Sequence, residues 1–201
     1  MRKLFFSFLI LFILSACSQE ENLDVTEDEI PSTQNVEIPS EIFTSEKQDS
    51  VIEEEEIKLS IKTYLDSHEE LDNASYPFQE IIDEEKELSK NELEKLAQIT
   101  KLTKENDENF SNYILNNTLP EGYQEESERI SQYITAYNEI LSELDENLSN
   151  FTDDVSKGEV PKINIESIMN KSDVVNGREQ KKIEEFLDKK NIKTKAFGRD
   201  Q

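Results

Sequence analysis

Between Glu53 and Ser156 apolar side chains return at three- and four-residue steps, and this periodicity limits the chain to helices buried along one face. Ile57, Ile61, Tyr64, Leu65, His68 and Leu71 form the first stripe. It is opened by Glu53–Glu56, where negative charge favours a helix N-terminus. Asp72–Pro77 reads as a break, because proline suits the first turn of a helix and not its interior. A second stripe covers Phe78–Asn117 through Ile81, Ile82, Leu88, Leu93, Leu96, Ile99, Thr103, Asn106, Phe110, Tyr113 and Ile114. Continuous, that helix would be about 60 Å long at ~1.5 Å per residue. This implies either a kink near Ser89–Asn91 or a long bundle. Asn116–Gly122, with Pro120 inside it, is the clearest interhelical turn.

The third helix is expected over Gln124–Ser156, with Ile130, Tyr133, Ile134, Tyr137, Leu141, Leu144, Leu148, Phe151 and Val155 on its stripe and Lys157-Gly158 ending it. After Val160-Pro161 come a short helical piece at Ile165–Lys171 and a helix at Asn176–Lys190 built on Ile183, Phe186 and Leu187. Ile192–Phe197 alternates in polarity and suits a short extended segment, and no β-hairpin signal appears elsewhere. The expected fold is therefore all-α: an antiparallel three-helix bundle over residues 53–158 with a small C-terminal helical appendage over 159–201.

The N-terminus has a different logic. Met1-Arg2-Lys3 precedes LFFSFLILFIL, eleven residues in which only Ser7 is polar, which is the layout of a signal peptide over residues 1–16. A helix of that length spans about 16 Å, roughly half of a ~30 Å hydrocarbon core, and is too short to cross a membrane. Leu14-Ser15-Ala16-Cys17 follows and resembles the lipobox of bacterial lipoproteins. The resemblance implies a diacylglyceryl thioether on Cys17, cleavage before it, and acylation of the new amino terminus. Two or more acyl chains, at ~0.8 kcal/mol per buried methylene, anchor a protein durably. Cys17 is the single cysteine, so no disulfide forms within one molecule. The expected localisation is the extracytoplasmic face of the cell membrane, with no cofactor beyond the covalent lipid.

Residues 17–52 carry Pro31, Pro39, many acidic and serine residues and few apolar ones. That composition does not offset chain entropy by burial, and it reads as a disordered acidic linker. Flexible, it would reach about 30–35 Å. Overall the chain has 22 basic and 46 acidic residues, a net charge of −24. Without Arg2 and Lys3, 20 basic face 46 acidic residues and the charge is −26. Such a charge repels nucleic acid, which is excluded as a partner. Lys171–Gln201 differs, with nine basic against six acidic residues, a local +3. Its simplest reading is a solvated helix face of mixed charge. The alternatives are docking onto the acidic body and contact with anionic wall polymers or headgroups.

Asn106-Asp107-Glu108-Asn109-Phe110, NDENF, resembles the signature of Gram-positive lipoproteins named for an NDxxF motif. The stretch NGREQKKIEEFLDKKNIKTKAF, Asn176–Phe197, is similar to the tails of the same proteins. With the lipobox, the resemblance spans Glu53 to the C-terminus and implies no established activity. A looser similarity, in the lipobox and the Glu/Lys-rich helices, is to cell-wall-binding lipoproteins. On residues alone, Ile99, Thr103, Asn106, Phe110 and Tyr113 share one helical stripe. Phe110 is thus expected in the core and Asn106 against the neighbouring helix, where a buried Asn needs hydrogen-bond partners. Asp107 is expected nearer the rim. The motif is either structural or the lining of a small polar pocket.

Catalytic chemistry has little support in the residues. His68 is the one histidine, so neither a triad of histidines nor a metal-ligand cluster of His or Cys can be assembled. No phosphate-binding glycine motif, nucleophile elbow or spaced calcium loop occurs, and no Trp lines a sugar cleft. The expectation is a non-catalytic surface protein whose helical body binds an envelope protein or cell-wall component. The alternative is a ligand-binding or regulatory module with a pocket at NDENF. A scaffold should present an exposed groove, a receptor a cavity near Asn106 and Phe110.

Overall fold

The computed structural model describes residues 32–84, 86–157 and 171–199, with side chains described for all of these except 83 and 144–157. The lipobox, Cys17 and the preceding apolar run lie outside the described residues, as do residues 165–170 of the short helical piece expected before the C-terminal helix.

The fold is all-α. Among the described residues four helices are complete: α1 Glu54–Asp83, α2 Lys90–Leu115, α3 Gln124–Lys157 and α4 Gly177–Lys190. Single 3-10 turns lie at Thr33–Asn35 and Ala196–Gly198. Among the described residues there is one isolated β-bridge, Val51 with Thr118, and no strand. Among the described residues no helix is long and apolar enough to cross a membrane.

The break between the first two helices is not where the sequence suggested. α1 runs straight through Asp72–Pro77, with Pro77 inside it. A proline in a helix interior costs about 3 kcal/mol or more through its lost donor and its clash with the preceding turn. Leu71, Ala74 and Phe78 flank it and are 1%, 8% and 0% exposed, joining Ile99 in one apolar cluster. Burying Leu71 and Phe78 stabilises by about 1.5–3 kcal/mol each, which outweighs the local preference. Ser75 Oγ donates to the Asp72 carbonyl at 2.8 Å and occupies one acceptor of the turn before the proline.

The chain instead turns after Asp83, and α2 starts on a capping box. Ser89 Oγ accepts from the Glu92 N–H, and the Glu92 carboxylate accepts from the Ser89 N–H. α2 leads back antiparallel to α1: Tyr64 meets Asp107 and Phe110, whereas Leu71 and Phe78, further along α1, meet Ile99, earlier in α2. The next turn needs Gly122 in the left-handed region, φ 80°, where side chains are strained although a Cβ would meet no atom there.

α3 returns along both partners, and its Tyr133 and Ile134 enter the main core with Ile57, Ile61, Leu65, Phe110 and Ile114. α4 is capped by Asn176, whose side chain accepts from the Arg178 and Glu179 N–H groups, and ends at Asn191 in the left-handed conformation. It lies antiparallel to α3, with Tyr123 against Phe186 and Arg129 bridged to Glu179 at 2.7 Å.

Two further expectations are corrected. The disordered linker does not extend to residue 52: from Thr33 onwards a strap of chain lies along α1 and α2, burying Phe43 and Ile52 in the main core. Its Val36, Ile38 and Ile42 pack on the Leu71–Phe78 cluster. The basic C-terminal stretch is also more than a solvated face, for it docks onto the acidic body. Lys195 pairs with Glu70 at 2.7 Å, and Asp66 accepts from Thr194 Oγ1 and the Lys195 N–H. Lys190 sits 4.1 Å above the Tyr123 ring. The alternation of Ile192–Phe197 reflects alternate burial, since Ile192, Thr194 and Ala196 are covered and Lys193 and Lys195 exposed, with no strand partner among the described residues.

Candidate functional site

The NDENF motif lies mid-way along α2, where three elements converge on it. Asn106 is 1% exposed; its Oδ1 accepts from the Phe43 N–H at 2.9 Å and its Nδ2 donates to the Tyr64 carbonyl at 3.2 Å. Asn109 Nδ2 donates to the Phe43 carbonyl at 3.0 Å, so two asparagines of the motif satisfy both peptide groups of one strap residue. Phe110 is fully buried, stacked on Tyr64 with centroids 4.1 Å apart and edge-on to Phe43 at 5.4 Å. Every buried backbone group in the strap needs such a partner, because the strap has no secondary structure of its own here.

Asp107 sits one step round the helix. It is buried rather than rim-exposed, at 7%. One carboxylate oxygen accepts from Tyr64 Oη at 2.8 Å and the other from Asn138 Nδ2 at 2.9 Å, tying α2 to α1 and α3. Burial pushes the Asp107 carboxyl above its ordinary value in spite of these two donors. Burial, followed by the neighbouring Asp107 charge, raises Tyr64 well above the usual phenol.

Asp107 also marks the edge of a cleft of about 450 Å³ between α1, α2 and α3. This is within the ~300–1,000 Å³ of ordinary small-molecule sites. Its walls combine Leu71, Leu96, Ile99 and Leu141 with His68, Asp72, Asp107 and Glu139. His68 and Asp72 stand one turn apart on α1, the spacing that brings side chains together on a helix face. His68 is 7% exposed and meets the edge of Tyr137 at 5.9 Å; its ring nitrogens make no hydrogen bond among the described residues. Burial lowers its pKa to about 4, so the ring is neutral at ordinary pH and presents one acceptor and one donor. Asp72 is half-buried and is raised by burial.

The structure thus brings Asn106, Asp107 and Phe110 to one place but divides their work. Asn106 and Phe110 are turned into the packed strap and core, and Asp107 alone of the three reaches the cleft. Sequence reading placed His68 on an apolar stripe and missed Asp72, Asn138, Phe43 and Tyr64 as partners. The His68-to-Asp72 spacing of four was the available signal. Among the described residues no three His, Cys, Asp or Glu side chains converge in a way that could hold a metal ion.

No protein-family model matches the chain, and neither a curated protein nor a solved structure matches it.

Proposed function

We propose that this chain is a non-catalytic, lipid-anchored binding module of the extracytoplasmic membrane face, whose helical body takes a small ligand into the α1–α2–α3 cleft beside NDENF. The observation that carries the reading is His68, a nine-tenths-buried polar side chain that lines a cleft of about 450 Å³ and has no hydrogen-bond partner among the described residues. Buried polar groups are nearly always paired, and the His68 ring nitrogens open onto a cleft where a ligand can take the place of water as their partner. A scaffold role has less support. The large exposed apolar side chains Val51, Leu59, Tyr76, Leu93 and Leu115 come singly from the strap, α1 and α2 and form no apolar stripe along one helix.

The cleft is tested by screening small fragments by NMR against the mature-length chain and a Thr103→Trp variant, which fills the cleft from α2. Shifts should gather on His68, Thr103 and Asn138 and vanish in the variant. Hits that ignore this substitution overturn the reading. The anchor is tested separately. Cys17→Ser should leave the precursor uncut or release the protein, and a correctly cut Cys17→Ser form still held at the membrane contradicts lipidation.

A further inference from the structure

Resting on that cleft reading, we propose that the ligand is an organic cation: a protonated amine carried on an apolar body. The charge of the lining gives its sign, with Asp72, Asp107, Glu108 and Glu139 against the single cation Lys104. Three of these carboxylates are already served. Glu108 lies 3.7 Å from Lys104, Glu139 lies 3.3 Å from Lys171, and Asp107 accepts from Tyr64 and Asn138. Asp72 differs, since among the described residues its carboxylate has neither a hydrogen-bond donor nor a cation. A half-buried carboxylate left in this state gains most from an incoming positive charge, which restores the solvation it has lost.

One helical turn away, His68 offers the second half of the recognition. A neutral imidazole has one lone pair free to accept, and an ammonium has three N–H groups to give. One N–H directed at Asp72 and another at His68 satisfies both at once. The remaining wall, formed by Leu96, Ile99 and Leu141, suits hydrocarbon and offers nothing to a hydrated ion. A bare metal ion is disfavoured for the same reason, because among the described residues no three ligating side chains converge. An anionic ligand meets the acidic lining unfavourably.

The experiment is calorimetric titration of the mature chain, with Cys17→Ser in place of the lipidated residue, by three probes of one shape: 4-phenylbutylamine, 4-phenylbutan-1-ol and 4-phenylbutanoate. The amine should bind at least about tenfold tighter than the alcohol, the effect of one charge-assisted hydrogen bond, and the carboxylate weakest. Asp72→Asn should bring the amine down to the alcohol and leave the alcohol unchanged. Glu105→Gln, which removes a carboxylate that lies outside the cleft lining and pairs with Lys101 at 3.4 Å, should leave the ratio intact. Equal binding of amine and alcohol, or tighter binding of the carboxylate, overturns the cationic class; if Thr103→Trp still abolishes that binding, the cleft itself stands. Absence of saturable binding by all three, or binding that Thr103→Trp leaves untouched, overturns the cleft reading and this inference together.

Discussion

Phe110 shows how much one side chain of NDENF does for its surroundings. Its ring is covered on one face by Tyr64 and at its edge by Phe43, the same two residues whose backbone groups Asn106 bonds. Aromatic pairs in these geometries add about 0.5–1.5 kcal/mol beyond the area they bury. Phe110→Ala removes both contacts and leaves a cavity, and should cost about 3–5 kcal/mol, read as a fall in the urea midpoint at unchanged slope. A midpoint close to wild type would contradict the burial described. Asn106 acts differently, through unpaired groups and not through volume. Asn106→Leu leaves the Phe43 N–H without an acceptor in a buried place, which costs about 1–3 kcal/mol. The checkable sign is faster hydrogen exchange at the Phe43 amide.

At the scale of elements, the strap from Thr33 to Ile52 is held by side chains far away in sequence. Asn117 accepts from the Ser50 N–H and donates to the Lys47 carbonyl, Lys95 reaches the carbonyls of Thr33, Gln34 and Val36, and Phe43 is the central plug. Phe43→Ala should therefore loosen the strap before it unfolds the helices. Limited proteolysis should cut within residues 32–52 while the far-ultraviolet dichroism stays helical; cleavage spread over α1–α3 would show that strap and bundle unfold as one unit. This segment also marks what sequence reading could reach. The helices α1 to α4 were legible because a 3.6-residue period repeats over many turns. The strap was not, because its anchors are asparagine side chains on backbone groups, which leave no period behind. Pro77 misled for a related reason: a local preference of about 3 kcal/mol was outweighed by the burial of Leu71 and Phe78, which is a property of the partner helix. The cap that does end the break, Ser89 with Glu92, was present as a motif.

For the whole molecule, stability should depend on acid through one buried ring. In the folded chain His68 has a pKa of about 4, lowered by burial from 6.5. Between these values the unfolded chain holds a proton on His68 that the folded chain refuses, so stability falls as pH falls. The contribution is fully present above pH 6.5 and is lost as pH drops toward 4, amounting to about 3 kcal/mol over that window. Other groups act alongside it. Asp72 and Asp107 are raised by burial and work in the opposite direction, the folded state holding their protons more tightly. Glu92, lowered to about 2 by Thr33 and Ser89, adds to the loss, but only below the ordinary carboxylate range. Because these groups stay in place when His68 is replaced, the comparison with His68→Gln isolates the histidine. Gln does not titrate, so any packing lost by the substitution is a constant offset. Denaturant melts of both proteins at intervals from pH 7 to pH 4 should show the wild type losing about 3 kcal/mol more than the variant, most of it below pH 6. A stability difference that stays constant with pH would mean that His68 is as free to take a proton when folded as when unfolded, and would remove the buried, unpartnered ring on which the cleft reading depends.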